Sequence, residues 1–388
     1  MSRPSRPSRE ADATPAAHAF RAHLAEHAGE YFPEIGPGSV RVSLRREDAR
    51  AYSTMYEFEI DGGAAARSVL VKQPAARERA ERPRDTPRQD RPRRAAVLDP
   101  ARKGEAEFAA LEKIHAAFER LADPRFGTVE PLDFVRPQQA LVMEKIESPR
   151  LSEILMRGRR GPGSRPGEAL APLHTAGAWL RAWHALDCFA PAGVRHATRD
   201  EFVAYVAAQT GYLAGDTRHA GLLARVRERV ETVAAAVLPA ELPLGTTHGD
   251  FAPRNVLVGP EGRVTVIDTL ARWRAPVYED LSDFLFALKA SKPQVYAQGA
   301  IFSRPVLASW EDAFLDGYFG AERPPYRALR LFEAQALLDR WASAHRAALG
   351  ATGPAAVKSR VRMTPITRYL SRCLERLCGA FDQEDPTK

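Results

Sequence analysis

Residues 247–268 read T-H-G-D-F-A-P-R-N-V-L-V-G-P-E-G-R-V-T-V-I-D. A carboxylate, Asp250, is followed five residues later by an amide, Asn255, in a segment that runs straight into the apolar triplet Val256-Leu257-Val258. Gly259-Pro260-Glu261-Gly262 then supplies turn chemistry, and a second apolar run, Arg263 to Ile267, leads to another carboxylate, Asp268. The pattern predicts a short hairpin with Asn255 near its start and Asp268 near its end. A carboxylate and an amide oxygen can then converge on one point, and hard oxygen ligands of this kind suit Mg2+, which keeps several waters and takes its remaining ligands from phosphate.

Upstream of this hairpin the pattern is that of a sheet with helices. Ala16 to Tyr31 places Phe20, Leu24, Ala25 and His27 or Ala28 on one helical stripe, ended by Pro33 and Gly36-Pro37-Gly38. Three runs of strand character follow, at Ser39–Leu44, Tyr52–Ile60 and Arg67–Lys72. The first pair is joined by a loop, Arg45–Ala51, and the second by Asp61-Gly62-Gly63. An amphipathic helix is expected over Glu105–Phe118, then strands at Leu132–Val135 and Ala140–Ile146 around a Pro137-Gln138-Gln139 turn. From Leu151 the chain reads as mostly helical, with segments near 168–187, 199–214, 218–238, 278–290, 308–318, 327–349 and 364–380, interrupted by strands only at Asn255–Val258 and Arg263–Ile267.

The loop at 248–255, with its metal-binding partner downstream, resembles the H-G-D-x-x-x-x-N loop of the aminoglycoside phosphotransferase and choline kinase group, relatives of the protein kinases. The protein-kinase loop carries H-R-D with the Asn at the same spacing. Further parts appear in the right order. Ser68-Val69-Leu70-Val71-Lys72 ends an apolar strand on a lysine. Glu107 with Leu111 matches the family's E-x-x-x-L helix pattern, with Glu105 as the alternative. Met143-Glu144-Lys145-Ile146 follows a strand where the family links its lobes, Trp179 to Leu186 resembles its helix ending in a histidine, and Tyr278-Glu279-Asp280-Leu281 resembles its later D-L pair. The resemblance covers about residues 39–290, and the last hundred residues match only in helical character.

The resemblance implies an α+β, bilobal protein-kinase-like fold. Composition and periodicity lead one to expect a disordered tail and an N-terminal helix over residues 1–35. Residues 36–143 form an antiparallel-sheet, nucleotide-binding N-lobe with one key helix and a basic, Pro/Arg-rich insertion at 74–103. Residues 144–388 form a helical C-lobe with the catalytic loop at 247–255 and the metal-binding hairpin at 255–268. It implies an ATP- and Mg2+-dependent phosphotransferase acting on an alcohol. Asp250 is the base that accepts the acceptor's proton, and Asn255 and Asp268 hold Mg2+. Lys72, set by Glu107, contacts the nucleotide's phosphates, and the backbone of Glu144 and Ile146 reads the adenine edge. His248 and Asp280 support the loop. Two departures matter: the loop at 45–51 has no glycine, so Ser53 or Thr54 is the candidate hydroxyl for the phosphates, and Asp268-Thr269-Leu270 stands where a protein kinase has Asp-Phe-Gly. The second favours the small-molecule branch.

Composition narrows the partners. A chain of 388 residues can bury about three quarters of its unfolded surface, so its core needs no metal or disulfide staple. No apolar run approaches the roughly 20 residues of a bilayer span, the N-terminus lacks a secretion-signal core, and three scattered cysteines argue against a disulfide scaffold; a cytoplasmic protein is expected. The net charge of +7 is concentrated between Arg77 and Arg94, where eight arginines face four acids. That segment has no aromatic residue on which bases could stack, so nucleic acid is not the expected partner. A basic chain matches a polycationic aminoglycoside poorly, which favours a neutral or anionic acceptor such as a sugar, glycan or metabolite. An antibiotic kinase is the alternative in the same reaction class, and a non-catalytic nucleotide- or partner-binding module the alternative outside it. His23-Leu24-Ala25-Glu26-His27 matches H-x-x-E-H, a zinc-site pattern, but lacks a third ligand and reads first as an amphipathic helix.

Overall fold

The structure, a computed structural model, describes residues 14–35, 40–50, 53–63, 65–74, 100–187, 193–215, 217–269, 273–349 and 354–381. The expectations for the tail before Thr14, for Gly36-Pro37-Gly38 and for the arginine-rich segment lie outside the described residues. The chain divides into two compact units, residues 1–86, 97–121 and 128–147 in the first, and 87–96, 122–127 and 148–388 in the second.

The first unit begins with α1 (Pro15–Tyr31), capped by the Thr14 hydroxyl, which accepts from the N–H of Ala17 at 3.3 Å. Strands β1 (Arg41–Ala49), β2 (Ser53–Asp61) and β3 (Ala66–Pro74) and helix α2 (Pro100–Leu121) follow. Strand β4 (Phe126–Thr128) belongs almost wholly to the second unit, after which β5 (Pro131–Val135) and β6 (Ala140–Glu144) complete a five-stranded antiparallel sheet in the order β1-β2-β3-β6-β5. Phe20, Leu24 and Ala28 of α1, at helical spacing, pack on Phe58, Ile60, Val69, Val71 and Val142. Each fully buried large side chain there contributes about 1.5–3 kcal/mol. Helix α1, grouped with the tail from the sequence, is thus part of the sheet's core.

Residues 45–49, expected as loop, are strand. Arg46–Ala49 pair with Thr54–Glu57 of β2, and Arg45 falls at an irregularity between Leu44 and Arg46. Charged residues fit this position because β1 is an edge strand, where exposed charge is tolerated and discourages pairing with other chains. At the β2–β3 turn Gly63 has φ +82° and its N–H donates to the Asp61 carboxylate at 2.8 Å, a conformation that favours glycine.

In the second unit α3 (Leu151–Arg157), α4 (Leu170–His184), α5 (Arg199–Leu213) and α6 (Ala220–Val237) lead to four short strands: β7 (Leu244–Thr247), β8 (Val256–Val258), β9 (Val264–Val266) and β10 (Trp273–Pro276). Five helices follow: α7 (Tyr278–Lys289), α8 (Lys292–Tyr296), α9 (Arg304–Phe319), α10 (Tyr326–Leu349) and α11 (Pro354–Gly379). The hairpin β8–β9 forms with Val256 opposite Val266 and joins β4, while β7 pairs with β10. The strands interrupting the helices are therefore more numerous than the sequence suggested. Aromatic side chains fill the centre: Trp179 stacks on Trp183 and Phe251, and Phe251 packs on Phe284, which stacks on Phe314 at 4.1 Å. Phe251 is wholly buried, so the residue after Asp250 pins its loop to the core. No helix among the described residues is long and apolar enough to cross a membrane.

Candidate functional site

The loop after β7 is held by one buried carboxylate. Asp280, in the first turn of α7, accepts from the backbone N–H of His248 at 2.6 Å and of Gly249 at 2.8 Å. Gly249 has φ +77°, and this left-handed turn aims two successive N–H groups at a single side chain. Asp280 also meets His184 Nε2 at 3.1 Å, and His184 Nδ1 meets the Tyr318 hydroxyl at 2.8 Å. Burial pushes the Asp280 carboxyl upward, but the hydrogen bond and charge of His184, with the His248 contacts, outweigh it and hold the group below the ordinary carboxylate range. Asp280 is therefore an anion at neutral pH.

His248 is buried, and burial lowers its pKa against the pull of Asp280, Asp250 and Asp268, so the imidazole is neutral at pH 7. Its Nδ1 accepts the N–H of Asp250 at 3.3 Å, and its ring packs against Trp183 and Phe251. These contacts shape the turn that presents Asp250, whose side chain is 55% exposed.

Asn255, 4% exposed, closes the loop: its Nδ2 donates to the Asp250 carbonyl at 2.9 Å and to Asp250 Oδ2 at 3.0 Å. Its backbone carbonyl accepts the N–H of Ile267 at 2.9 Å, which carries the hairpin register one step beyond β8–β9 toward Asp268. Asp268 lies two residues past β9, at φ +59°, and is exposed. The sequence placed Asn255 at a strand start and Asp268 at a strand end; both instead sit just outside the strands, where backbone and side chain can turn. With Nδ2 committed to Asp250, Asn255 retains Oδ1 for a cation, and Asp268 adds a carboxylate. This donor set fits a hard divalent ion that keeps waters.

Asp250 lines a cavity of about 990 Å3 built from α3, the loop, α7, α8 and α10. Its walls mix apolar Leu155, Met156 and Phe286 with Glu153, Asp283, Lys292 and Arg340. Asp339, also on the wall, accepts from the Tyr205 hydroxyl at 2.7 Å and from Gln209.

In the first unit Lys72 of β3 forms an ion pair with Glu107 of α2; their side chains are 14% and 4% exposed. Glu105 faces elsewhere and pairs with Arg136 at 3.0 Å across exposed surface. Burial separates the two candidates, since a charge pair taken out of water is held only with close geometry. Ser53 is buried at the start of β2, and its carbonyl accepts the N–H of Arg50 at 2.8 Å, while Thr54 is half-buried beside it. Glu144 ends β6 with its N–H bonded to the Glu130 carbonyl, and Ile146 follows in irregular chain. The structure thus brings Lys72 and Glu107 together in one unit, and His248, Asp250, Asn255 and Asp280 in the other with Asp268 at the end of their hairpin.

Two participants were not singled out from sequence. Arg254 forms an ion pair with Asp250, and its i, i+4 spacing was the available signal. Tyr318 meets His184 from 134 residues away, beyond any local pattern. In α1, His23 meets Asp133 at 2.8 Å, and Tyr31 donates to the same carboxylate, so the H-x-x-E-H pattern sits in a side-chain network that ties the helix to β5. No group of three metal-binding side chains occurs among the described residues.

Residues 85–332 match the family model for the phosphotransferase enzyme family, APH. Among solved structures, that of a protein from Ralstonia eutropha JMP134, provisionally assigned as an aminoglycoside phosphotransferase, is 12% identical, with 92% of this chain and 98% of that one covered and a TM-score of 0.55. A choline/ethanolamine kinase family protein from Mesorhizobium loti is 17% identical over 95% of each chain at a TM-score of 0.48. The macrolide 2'-phosphotransferase of Brachybacterium faecium is 12% identical over 95% of this chain and 100% of its own, also at 0.48. No curated protein matches the chain. The first of these structures establishes the shared kinase-like fold.

Proposed function

The chain belongs to the phosphotransferase enzyme family, and we propose that it moves the terminal phosphoryl group of ATP onto a hydroxyl of a small molecule. The observation that carries this reading is the presentation of Asp250: Asp280 holds two N–H groups of its loop, Phe251 anchors it, Asn255 bonds its carboxylate, and Asp250, with its side chain 55% exposed, lines a cavity of small-molecule size. Asp250 orients the acceptor hydroxyl and takes its proton as the bond to phosphorus forms. Arg254, paired with Asp250, steadies that carboxylate until an acceptor arrives. Asn255 and Asp268 would hold Mg2+, which when bound neutralises charge on the phosphates. Lys72, fixed by its pair with Glu107, contacts the nucleotide's phosphates as a point charge. Ser53, Glu144 and Ile146 belong to the same nucleotide-binding reading. Phosphoryl transfer asks the protein for positioning and charge stabilisation more than for covalent chemistry, and rigidly held groups of this kind supply both.

The cavity's mixed charge supports a neutral or anionic acceptor such as a carbohydrate or metabolite. Lys292 and Arg340 stand among its carboxylates, and Asp339 is already engaged by Tyr205 and Gln209. A polycation would have to approach those two cations. Glu153 and Asp283 on the same wall are the observation that favours the second reading, an antibiotic acceptor carrying amines. A cytoplasmic setting, where ATP is available, goes with either reading.

The test is Mg2+-dependent ATP consumption by the native chain and by Asp268→Ala against sugars, phosphorylated glycans, amino alcohols, macrolides and aminoglycosides. Acceptor-stimulated turnover that disappears in the variant is expected. Nucleotide binding without turnover on any acceptor would instead promote a non-catalytic binding module.

A further inference from the structure

A second cavity, of about 780 Å3, lies in the helical unit. It shares Phe286, Ala290 and Phe302 with the cavity that Asp250 lines, but none of the residues of the 248–255 loop. Four arginines line it: Arg160 after α3, Arg304 at the start of α9, and Arg372 and Arg376 one turn apart on α11. Arg372 donates to the Gln298 side-chain oxygen at 2.5 Å and to the Arg368 carbonyl at 3.3 Å. Arg376 donates to the Arg372 carbonyl at 3.1 Å and to Cys373 Sγ at 3.4 Å. All of these acceptors are uncharged, so among the described residues the two guanidinium groups are oriented without an ion-pair partner.

The carboxylates of the cavity do not redress the balance. Glu311 and Glu333 share the half-buried Lys289, at 2.8 and 2.7 Å. Glu375 remains, exposed on α11. Between the charged groups run apolar surfaces of Leu307, Leu337 and Leu377. Guanidinium forks match phosphate and carboxylate oxygens two at a time, and a concave surface of one sign concentrates anions. The volume lies within the range of small-molecule sites, about 300–1,000 Å3.

We propose that this cavity is a second ligand site, apart from the phosphotransfer centre, that takes a small molecule joining a phosphate or carboxylate to an apolar body. The proposal is independent of the acceptor and of the phosphotransfer reading. Phenyl phosphate and benzoate are the probes, titrated calorimetrically into the full chain at constant ionic strength. The same titration in a Lys72→Met background removes the lysine expected to hold nucleotide phosphates. Saturable one-to-one binding of at least one probe is expected in both, with the tighter probe telling phosphate from carboxylate. Arg304→Gln combined with Arg372→Gln should weaken it at least tenfold, and Arg372→Lys, which keeps the charge but not the fork, severalfold. Arg304→Gln alone removes an exposed side chain, so it reports on the site even if the double variant unfolds; it too should weaken binding severalfold. Absence of saturable binding in the native chain, or affinity unchanged in Arg304→Gln and Arg372→Lys, would overturn the proposal.

Discussion

Asp280→Ala removes the acceptor of the buried His248 N–H and of the part-buried Gly249 N–H, and the partner of the buried His184 ring. A buried donor left without a partner costs about 1–3 kcal/mol, more when the lost acceptor was charged, so the helical unit should lose about 3–6 kcal/mol. Asp280→Asn keeps one acceptor oxygen and turns an NH2 toward the other donor, for a loss of about half that. All five tryptophans lie between residues 179 and 341, within this unit, so urea unfolding followed by tryptophan fluorescence reports on it alone. The sign of the pH dependence follows from the lowered pKa of Asp280 in the folded chain. Its stabilisation is fully present above the unfolded carboxylate value of about 3.9 and is lost as pH falls through the lower folded value. The gap between native chain and Asp280→Asn should therefore be constant from pH 7 to 5 and close below pH 4. Turnover under native conditions should fall at least tenfold, because the loop that presents Asp250 loses its brace. A loss below about 0.5 kcal/mol in Asp280→Ala, the size expected of an ordinary surface substitution, would refute this account of the loop.

Two further outcomes separate local explanations. Glu107→Gln should weaken ATP binding about tenfold, measured by calorimetry, because it loosens Lys72 in a largely buried pair, whereas Glu105→Gln should change it less than twofold, since its pair with Arg136 is exposed. Gly317→Ala should destabilise the helical unit by at least about 2 kcal/mol in urea unfolding, because the added Cβ would sit 1.9 Å from the His174 carbonyl where α9 crosses α4.

Much of the site could be read from the chain because its chemistry is local. Asp250, Asn255 and Asp268 sit at fixed offsets around one hairpin, and Lys72 ends an apolar strand ahead of a helix bearing Glu107. What escaped was non-local or short. Strand β7 is four residues long and its partner β10 begins 26 residues later, too little for a period to register. Residues 45–49 look like loop because both faces of an edge strand can carry charge. Helix α11 was expected near 364–380, yet it begins at Pro354 and carries Pro365 inside it, where a proline usually marks a helix boundary. The bracing of the loop by Asp280 was anticipated only through the family resemblance; the part played by Tyr318 depends on packing that no spacing encodes.

The central claim, that Asp250 is the base of a phosphotransferase, is tested most directly by pairing two measurements on Asp250→Asn. These are ATP affinity by calorimetry and acceptor-stimulated ATP turnover. Affinity within about threefold of the native chain, with turnover down by at least the 10²–10⁴ that a positioned general base contributes, is the expected result. Turnover at the native rate would contradict the assignment outright.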